Sequence, residues 1–330
     1  MLSIGLLGAG RIGTLHGRNV AVNPRAKLAA VADAVTSSAD ALARELGAPA
    51  RSVEAILSDT SIEALLICTS TDTHADLIEA GAKGGKAVFC EKPVDLSSER
   101  IKACLAVVDQ AGTPLMIGFN RRFDPHFALL QGRVAAGEIG TVELVTILSR
   151  DPGPPPVSYI ARSGGLYRDM MIHDLDMARF LLGEEPVEVH AVGSSLVDPA
   201  IGDAGDVDTA AVLLKTASGK ICQISNSRRA TYGYDQRVEV HGSKGMIRAH
   251  NMLENAVEMA TADGFRSAPV LNFFLERYTP AYRRELDHFI DCVTSGQAAT
   301  PTGRDGLRAQ MLADAATEAS VTGRAQRVSL

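Results

Sequence analysis

Short apolar runs alternate with amphipathic segments over the first part of the chain. The apolar runs predict strands, and the segments between them, of roughly 10–15 residues, predict helices. The predicted strands are Ser3–Gly8, Leu28–Ala32, Ala64–Cys68, Ala87–Cys90 and Leu115–Gly118, and the predicted helices are Ile12–Val22, Ser37–Leu46, Thr73–Ala82 and Ser97–Gln110. Strands that alternate with helices in this way indicate a parallel, doubly wound α/β sheet.

The pattern changes after about residue 120, where longer strands follow one another. Tight turns such as Ala217–Lys220 and Gly242–Gly245 join several of them, which indicates a large, mostly antiparallel open sheet. The strands are predicted at Thr141–Leu148, Val187–Val192, Asp208–Leu214, Lys220–Ser225, Arg237–His241 and Met246–His250. Helices at Asp169–Leu182 and Glu276–Thr294 are expected to cover one face, giving an α+β arrangement.

The length of 330 residues suits two domains. We place the first at residues 1–120 and the second at 121–330, and we expect the Ala-rich helix at 304–322 to pack back on the first. The proline-rich loop at 151–156 cannot join the interior of a sheet, so it is expected at a rim or as a lid.

Composition narrows the class of protein. A hydrophobic share of 46% supports a packed core, and the net charge of −6, with scattered Lys and Arg, predicts no nucleic-acid or membrane partner. No apolar run is long enough to span a bilayer, and the N-terminus lacks the basic start of a signal peptide. The spacing of the five cysteines shows neither a disulfide framework nor a CxxC metal pattern. We expect them to be buried, reduced thiols in a cytoplasmic protein: Cys68, Cys90, Cys104, Cys222 and Cys292.

A glycine motif follows the first predicted strand and opens the first helix. In Gly8-Ala9-Gly10-Arg11-Ile12-Gly13 the glycines permit a tight turn and close approach of a pyrophosphate to the helix N-terminus. Asp33 ends the second strand, where a carboxylate binds ribose hydroxyls. This carboxylate would repel a 2′-phosphate and Ala34 offers no cation, so the motif favours NAD over NADP. Arg11 is expected to contact the pyrophosphate or solvent.

Polar residues also follow the third and fourth predicted strands, at the edge where open parallel sheets bind ligands. Glu91-Lys92-Pro93 places a lysine there; a lone lysine is usually a solvated charge, but the proline fixes the turn and permits a cis bond. The segment holding Thr69 and Ser70 either caps a helix or contacts the nicotinamide side of the cofactor. His74 is interpreted as structural or adjacent to the cofactor.

An acid and an imidazole stand four residues apart at Asp169 and His173, just after Gly164-Gly165. On one continuous helix they share a face one turn apart, which suits proton transfer. The alternatives are a buried structural pair or part of a zinc site, although no Cys/His cluster completes a metal shell and we predict no metal.

These motifs together resemble the Gfo/Idh/MocA oxidoreductase family, over nearly the whole chain. The motifs are the glycine loop, Glu91-Lys92-Pro93, the Asp169–His173 segment and Thr302-Gly303-Arg304-Asp305-Gly306. Within the family the chain is most similar to the inositol 2-dehydrogenases, at Ser163–Leu166, Asp169–Arg179, Tyr232–Asp235, Glu276–Tyr278 and Ala281–Tyr282.

The resemblance implies an NAD-dependent oxidation of myo-inositol to the 2-keto inositol, with Lys92, Asp169 and His173 as the catalytic trio. It further implies that Asp176, Tyr234, Tyr278 and Tyr282 hold polyol hydroxyls, and that the open sheet face builds a homotetramer. The cofactor residues expected are Gly8, Gly10, Arg11, Ile12, Asp33, Thr69, Ser70, His74, Glu91 and Lys92. Two alternatives remain: a dehydrogenase for another polyol or sugar, such as scyllo-inositol or an aldose, and a non-catalytic NAD-binding regulator.

Overall fold

The apolar runs of the first part of the chain form a single sheet in the computed structural model, which describes residues 1–329. Its strands are β1 (Leu2–Leu7), β2 (Ala26–Ala32), β3 (Ala64–Ile67), β4 (Ala87–Glu91) and β5 (Leu115–Gly118). They lie in the order β2-β1-β3-β4-β5, and every pair is parallel, which confirms the predicted sheet. The order reverses between β1 and β3, and ligands bind at the carboxyl ends of strands beside such a switch point.

Helices connect these strands: α1 (Arg11–Val22), α2 (Thr36–Leu46), α3 (Val53–Ser58), α4 (His74–Lys83) and α5 (Ser98–Ala111). The Ser97 hydroxyl accepts a hydrogen bond from the amide of Arg100, as predicted for the cap of α5. The short helix α3 was not expected from the sequence; Ser52 caps it in the same way through the amide of Ala55.

The second part of the chain adds further helices and strands: α6 (Pro125–Ala135), β6 (Val142–Arg150), α7 (Val157–Ser163), α8 (Gly165–Asp169), α9 (Ile172–Leu182), β7 (Pro186–Ser194), α10 (Pro199–Asp203), β8 (Thr209–Thr216), β9 (Ile221–Ser227), β10 (Asp235–Gly242), β11 (Gly245–Ala249), β12 (Glu258–Thr261), β13 (Gly264–Ser267) and α11 (Phe274–Arg277). The chain ends with α12 (Thr279–Ser295), α13 (Gly303–Thr322) and β14 (Gln326–Arg327). The helix predicted at Glu276–Thr294 is therefore interrupted between α11 and α12.

Seven of these strands form the large sheet, in the order β11-β10-β6-β9-β8-β7-β14. Adjacent strands of this sheet run antiparallel, except β6 and β9, which run parallel. The mostly antiparallel second sheet was thus predicted correctly. Helix α9 packs on β6 and β9, and buried and exposed residues alternate along β8, as in a sheet with one covered face.

The chain divides into two compact units. The first comprises Met1–Asn120 with Tyr282–Gln310, and the second comprises Arg121–Ala281 with the residues from Met311 onward. In the first unit the start of α13 packs closely on the sheet: a Cβ on Gly303 would lie 2.9 Å from the side chain of Leu115 on β5. The division predicted at residue 120 stays a prediction.

The five cysteines are free thiols, and four are buried as expected. Cys68 is half-buried, because it lies at the end of β3 where the sheet edge opens. Among the described residues, no helix has both the length and the apolar character needed to cross a membrane.

Candidate active site

The glycine turn between β1 and α1 has the geometry of a dinucleotide loop. Gly8 has a φ of +102°, and a Cβ there would lie 2.8 Å from the amide nitrogen of Thr69, so packing alone requires glycine. A Cβ on Gly10, by contrast, would meet no protein atom within 4 Å. Gly10 caps α1 without a side-chain hydrogen bond, so the first amides of the helix keep the capacity to bind an anion. The loop therefore fits a pyrophosphate.

Asp33 lies directly after β2 and is tied to this loop. Its Oδ2 accepts a hydrogen bond from the amide of Ala9 at 2.6 Å, and its Oδ1 accepts from the amide of Val35 at 2.7 Å. The carboxylate is half-buried beside the glycine turn, where the sequence predicted a ribose contact. Arg11 is exposed and Ile12 half-buried at the start of α1.

His74 joins the ends of two strands. Its Nδ1 lies 2.7 Å from the carbonyl oxygen of Pro93 and its Nε2 lies 3.1 Å from that of Thr69. Burial lowers the pKa of His74, so the neutral form is favoured although both ring nitrogens face acceptors. Thr69 bonds the Thr73 hydroxyl at 2.7 Å, and Ser70 is exposed. These contacts link the segments that follow β3 and β4, and a place for His74 beside the cofactor stays a prediction.

Lys92 follows the last residue of β4, and the Lys92–Pro93 peptide is cis. Its side chain is half-buried at the carboxyl edge of the sheet, where the sequence predicted it. The preceding residue, Glu91, accepts a hydrogen bond from Nε2 of His16 at 2.7 Å. The second neighbour of this imidazole is Glu285 on α12, at 3.9 Å.

His16, Glu91 and Glu285 form a buried cluster in the first unit. Their candidate ligand atoms lie within 4.8 Å of one another, and no other group of three or more His, Cys, Asp or Glu in residues 1–329 meets that geometry. Neither Asp169 nor His173 belongs to this group. Burial, reinforced by Glu91, raises the pKa of Glu285 well above its usual range, so this carboxyl is held neutral.

The helix predicted through Asp169 and His173 is not continuous. Asp169 ends α8 and His173 is the second residue of α9, with Met170 and Met171 between them. The amides of both methionines donate to the carbonyl of Leu166, so the hydrogen-bond ladder slips by one residue. The prediction of one continuous helix through both residues is therefore wrong, although Met170 and Met171 keep right-handed helical backbone angles.

The carboxylate of Asp169 lies among three polar side chains. The Tyr159 hydroxyl donates to its Oδ1 at 3.2 Å, and Nη2 of Arg228 lies 3.6 Å from its Oδ2. Nη1 of the same guanidinium lies 4.0 Å from Oδ2 of Asp151, the first residue of the proline-rich loop. Burial raises the pKa of Asp151 to about 6, and Arg228 opposes that rise.

A buried polar network lies beneath α9. Asp174 accepts from Arg121 and, at 3.0 Å, from the amide group of Asn226. Arg121 also donates to Ser149 at 3.1 Å, and Gln236 bonds the same hydroxyl at 2.9 Å. Burial opposes the charge of Arg121, but the Asp174 carboxylate outweighs it and raises the pKa of Arg121. Nearly all polar groups of this network have hydrogen-bond partners, so the network holds the start of α9 rigidly.

The residues expected to hold polyol hydroxyls are distributed over both units. Asp176 is 1% exposed and accepts bonds from Arg122 at 2.6 and 2.8 Å and from Arg179 at 3.3 Å. Tyr234 and Tyr278 pack edge to face in the second unit, with ring centroids 6.0 Å apart. Tyr282 lies in the first unit, its ring 5.7 Å from that of His16. Their roles toward substrate stay predictions.

Sequence reasoning missed His16, Glu285, Asp151 and Arg228. His16 had a usable signal, since it lies one turn beyond Gly13 on the helix that opens the dinucleotide loop. Glu285 and Arg228 had none, because only burial distinguishes them from ordinary surface charges.

Family models match both parts of the chain. Residues 2–119 match the model described as "Oxidoreductase family, NAD-binding Rossmann fold", and residues 127–248 match the "GFO/IDH/MocA C-terminal domain". The glycine loop and Asp33 lie within the first match, and Asp151, Asp169, His173 and Arg228 within the second.

Individual relatives extend over nearly the full length. The chain is 57% identical over 312 residues to the inositol 2-dehydrogenase of Rhizobium meliloti (strain 1021), covering 94% of each chain. It superposes on a myo-inositol dehydrogenase from Corynebacterium glutamicum ATCC 13032 with a TM-score of 0.96 at 42% identity, covering 100% and 99% of the two chains. It also superposes on a scyllo-inositol dehydrogenase from Lactobacillus casei, solved with NAD(H) and scyllo-inositol, with a TM-score of 0.92 at 31% identity, covering 99% of both.

Proposed function

The chain belongs to the Gfo/Idh/MocA family of NAD-binding oxidoreductases, and from this premise we propose that it oxidises one ring hydroxyl of myo-inositol to the 2-keto inositol. NAD is its cofactor, and polyols are its substrate class. The observation that carries the choice of inositol is the 57% identity to an inositol 2-dehydrogenase over 94% of the chain.

In this proposal His173 is the general base that removes the hydroxyl proton. An imidazole suits the task because its ordinary pKa of about 6.5 lies close to neutral pH. Asp169 orients His173 and stabilises its charged form. Lys92 donates a hydrogen bond to the reacting oxygen and favours the negative charge that develops there. When bound, NAD would accept the hydride that leaves the carbon atom bearing the reacting oxygen.

The remaining hydroxyls of the ring are assigned to Asp176, Tyr234, Tyr278 and Tyr282. Tyr234 and Tyr278 pack edge to face, and the Tyr278 hydroxyl donates to Gln236 at 3.3 Å, so these contacts hold the two rings in place. Asp176 is already held by two arginines, so its contribution would be to fix the start of α9 as much as to bind a hydroxyl.

A second candidate is a dehydrogenase with scyllo-inositol as its preferred substrate. The similarity to the Lactobacillus casei scyllo-inositol dehydrogenase supports it, although at 31% identity rather than 57%. The two isomers differ only in the orientation of one hydroxyl, so the fold and the base would serve either.

The test is turnover with NAD and a panel of myo-inositol, scyllo-inositol, other polyols and aldoses, followed through nicotinamide absorbance. We expect kcat/KM to be highest for myo-inositol. A response to an aldose but to neither inositol would overturn the inositol assignment. Silence across the whole panel, with NAD bound, would instead favour a non-catalytic NAD-binding regulator.

We also propose a cytoplasmic homotetramer built on the open face of the large sheet. Large apolar residues stand exposed on four neighbouring strands of this face: Leu144, Val192, Leu213 and Ile221, the second at 66% exposure. Exposed apolar patches of this kind are typical of protein interfaces. Light scattering coupled to size exclusion should give four subunits, and Leu213→Glu should lower that number; a monomeric parent protein would contradict the proposal.

A further inference from the structure

Arg228 is an enclosed cation directly after the last residue of β9, a central strand of the large sheet. Its side chain is 2% exposed, and neither its Nε nor its Nη2 donates a hydrogen bond to any residue of 1–329. A buried guanidinium that lacks hydrogen-bond acceptors destabilises the folded protein unless nearby negative charge compensates it. Asp169 at 3.6 Å and Asp151 at 4.0 Å supply that charge.

The sheet itself brings these charges together. Strands β6 and β9 run parallel, and their register ends with Arg150 opposite Ser227. Asp151 and Arg228 are each the next residue along, so they leave the sheet side by side. Their backbones are fixed there: the amide of Asp151 donates to Ser227 at 2.9 Å, and the amide of Arg228 donates to the carbonyl of Asp208 at 2.8 Å.

We propose that Arg228 is a positioning residue for polyol oxidation, which acts by holding the carboxylates of Asp151 and Asp169 in place through its positive charge, and this rests on the proposed function. Its Nε and Nη2 are closed off from solvent, so we assign it no direct contact with the substrate. It acts through Asp169, the partner assigned to His173. Without the guanidinium, Asp169 loses the cation at 3.6 Å and the pKa of Asp151 rises further, because Arg228 is the cation that most lowers it.

Other ionisable groups surround the carboxylates of Asp151 and Asp169. Those that act on or contact Asp151 and Asp169 are Arg121, Asp174, Tyr159 and Tyr234, and His173 follows on the next helix. Arg121 is the only other cation among them, and it already pairs with Asp174. Arg228 lies within 4.0 Å of both Asp151 and Asp169, and its charge opposes the rise that burial causes in the pKa of Asp151.

The experiment compares Arg228→Met, Arg228→Lys and Asp151→Asn, with Arg229→Met as the matched control. Arg229 is the neighbouring arginine and is exposed, and its guanidinium donates to the backbone carbonyls of Leu196 and Val197 at 3.5 Å. For each variant kcat/KM is measured from pH 5 to 9 with the best polyol of the panel, together with NAD affinity. Arg228→Met should move the acidic limb of kcat/KM upward by about one pH unit, with NAD affinity unchanged.

Arg228→Lys should restore most of the parent profile, and Arg229→Met should match it throughout. If Arg228→Met does not fold, Asp151→Asn decides: it removes the competing negative charge, so the acidic limb should move to lower pH. The proposal would be overturned if the acidic limb of kcat/KM stayed at the parent pH in either variant, whatever the loss of activity. Arg228 would then contribute only to packing.

A second readout separates this proposal from the choice of substrate. Burial raises the folded pKa of Asp151, so that carboxyl costs stability above its unfolded pKa of about 4. Arg228→Met raises the folded pKa further, so the stability gap to the parent should widen as the pH rises from about 4 towards 7. A constant gap would count against Arg228 even if the protein oxidises no inositol.

Discussion

The carboxyl group of Glu285 lies 3.9 Å from Nε2 of His16, and both side chains are almost fully enclosed in the first unit. Neither oxygen of Glu285 accepts or donates a hydrogen bond within residues 1–329. Since His16 is already bonded to Glu91 at 2.7 Å, Glu285 is the member of the cluster with least to gain from ionisation.

The first prediction is that Glu285→Gln stabilises the protein above neutral pH. Burial raises the folded pKa of Glu285, so ionising it costs folding free energy once the pH exceeds the unfolded pKa of about 4.3. The stability of the parent should therefore fall as the pH rises, by about 1.4 kcal/mol for each unit by which the pKa is raised. Urea unfolding at pH 5, 6.5 and 8 measures this, and the variant should show the smaller decline.

Glu318→Gln on α13 is the matched control, because Glu318 is exposed on a helix and loses the same charge. It should leave the pH dependence of unfolding unchanged. If Glu285→Gln follows the parent at all three pH values, Glu285 is ionised in the folded protein and our account of the cluster is wrong.

The second prediction concerns the ion pair beneath α9. Arg121 and Asp174 are 5% and 0% exposed, so Arg121→Met leaves an uncompensated charge in the interior. Breaking a buried pair in this way typically costs 3–5 kcal/mol. We expect a loss of about that size in urea unfolding at pH 7, and a smaller loss for Arg121→Met combined with Asp174→Asn, which removes both charges. A loss below about 1 kcal/mol in the single variant would mean that the pair contributes little.

Local sequence signals predicted the parts of the site that depend on neighbours along the chain. The glycine turn, Asp33 and Lys92 each follow a short apolar strand, and in a parallel sheet the ends of such strands meet at one edge. Their places could therefore be deduced from strand order alone, and the structure has them there.

The missed features depend on contacts between distant segments. Asp151 and Arg228 lie close together because β6 and β9 pair in parallel. The sequence of neither strand predicts that pairing. The break at Met170 and Met171 was missed for a related reason. Both residues keep right-handed helical backbone angles, so the helical pattern continues although the hydrogen bonds shift.

The third prediction is a change of cofactor preference. Asp33→Ser combined with Ala34→Arg removes the carboxylate beside the glycine turn and adds a cation next to it. Two charges about 4 Å apart interact by roughly 1–4 kcal/mol near a protein surface, so the NADP to NAD ratio of kcat/KM should rise at least about tenfold. Asp33→Asn alone, which keeps the shape and loses the charge, should give a smaller rise. An unchanged ratio in both variants would show that the ribose is held elsewhere.

The fourth prediction tests the base. His173→Ala should lower kcat by about 10²–10⁴-fold, the range that general acid–base catalysis usually contributes, while the dissociation constant for NAD stays the same. Steady-state turnover and a separate NAD titration measure the two quantities. His126→Ala is the control, since His126 is an exposed residue of α6. Because His173 is assigned only to proton removal, kcat near that of the parent would exclude it as the base, whereas equal losses of kcat and NAD affinity would indicate a collapse of the fold rather than of the chemistry.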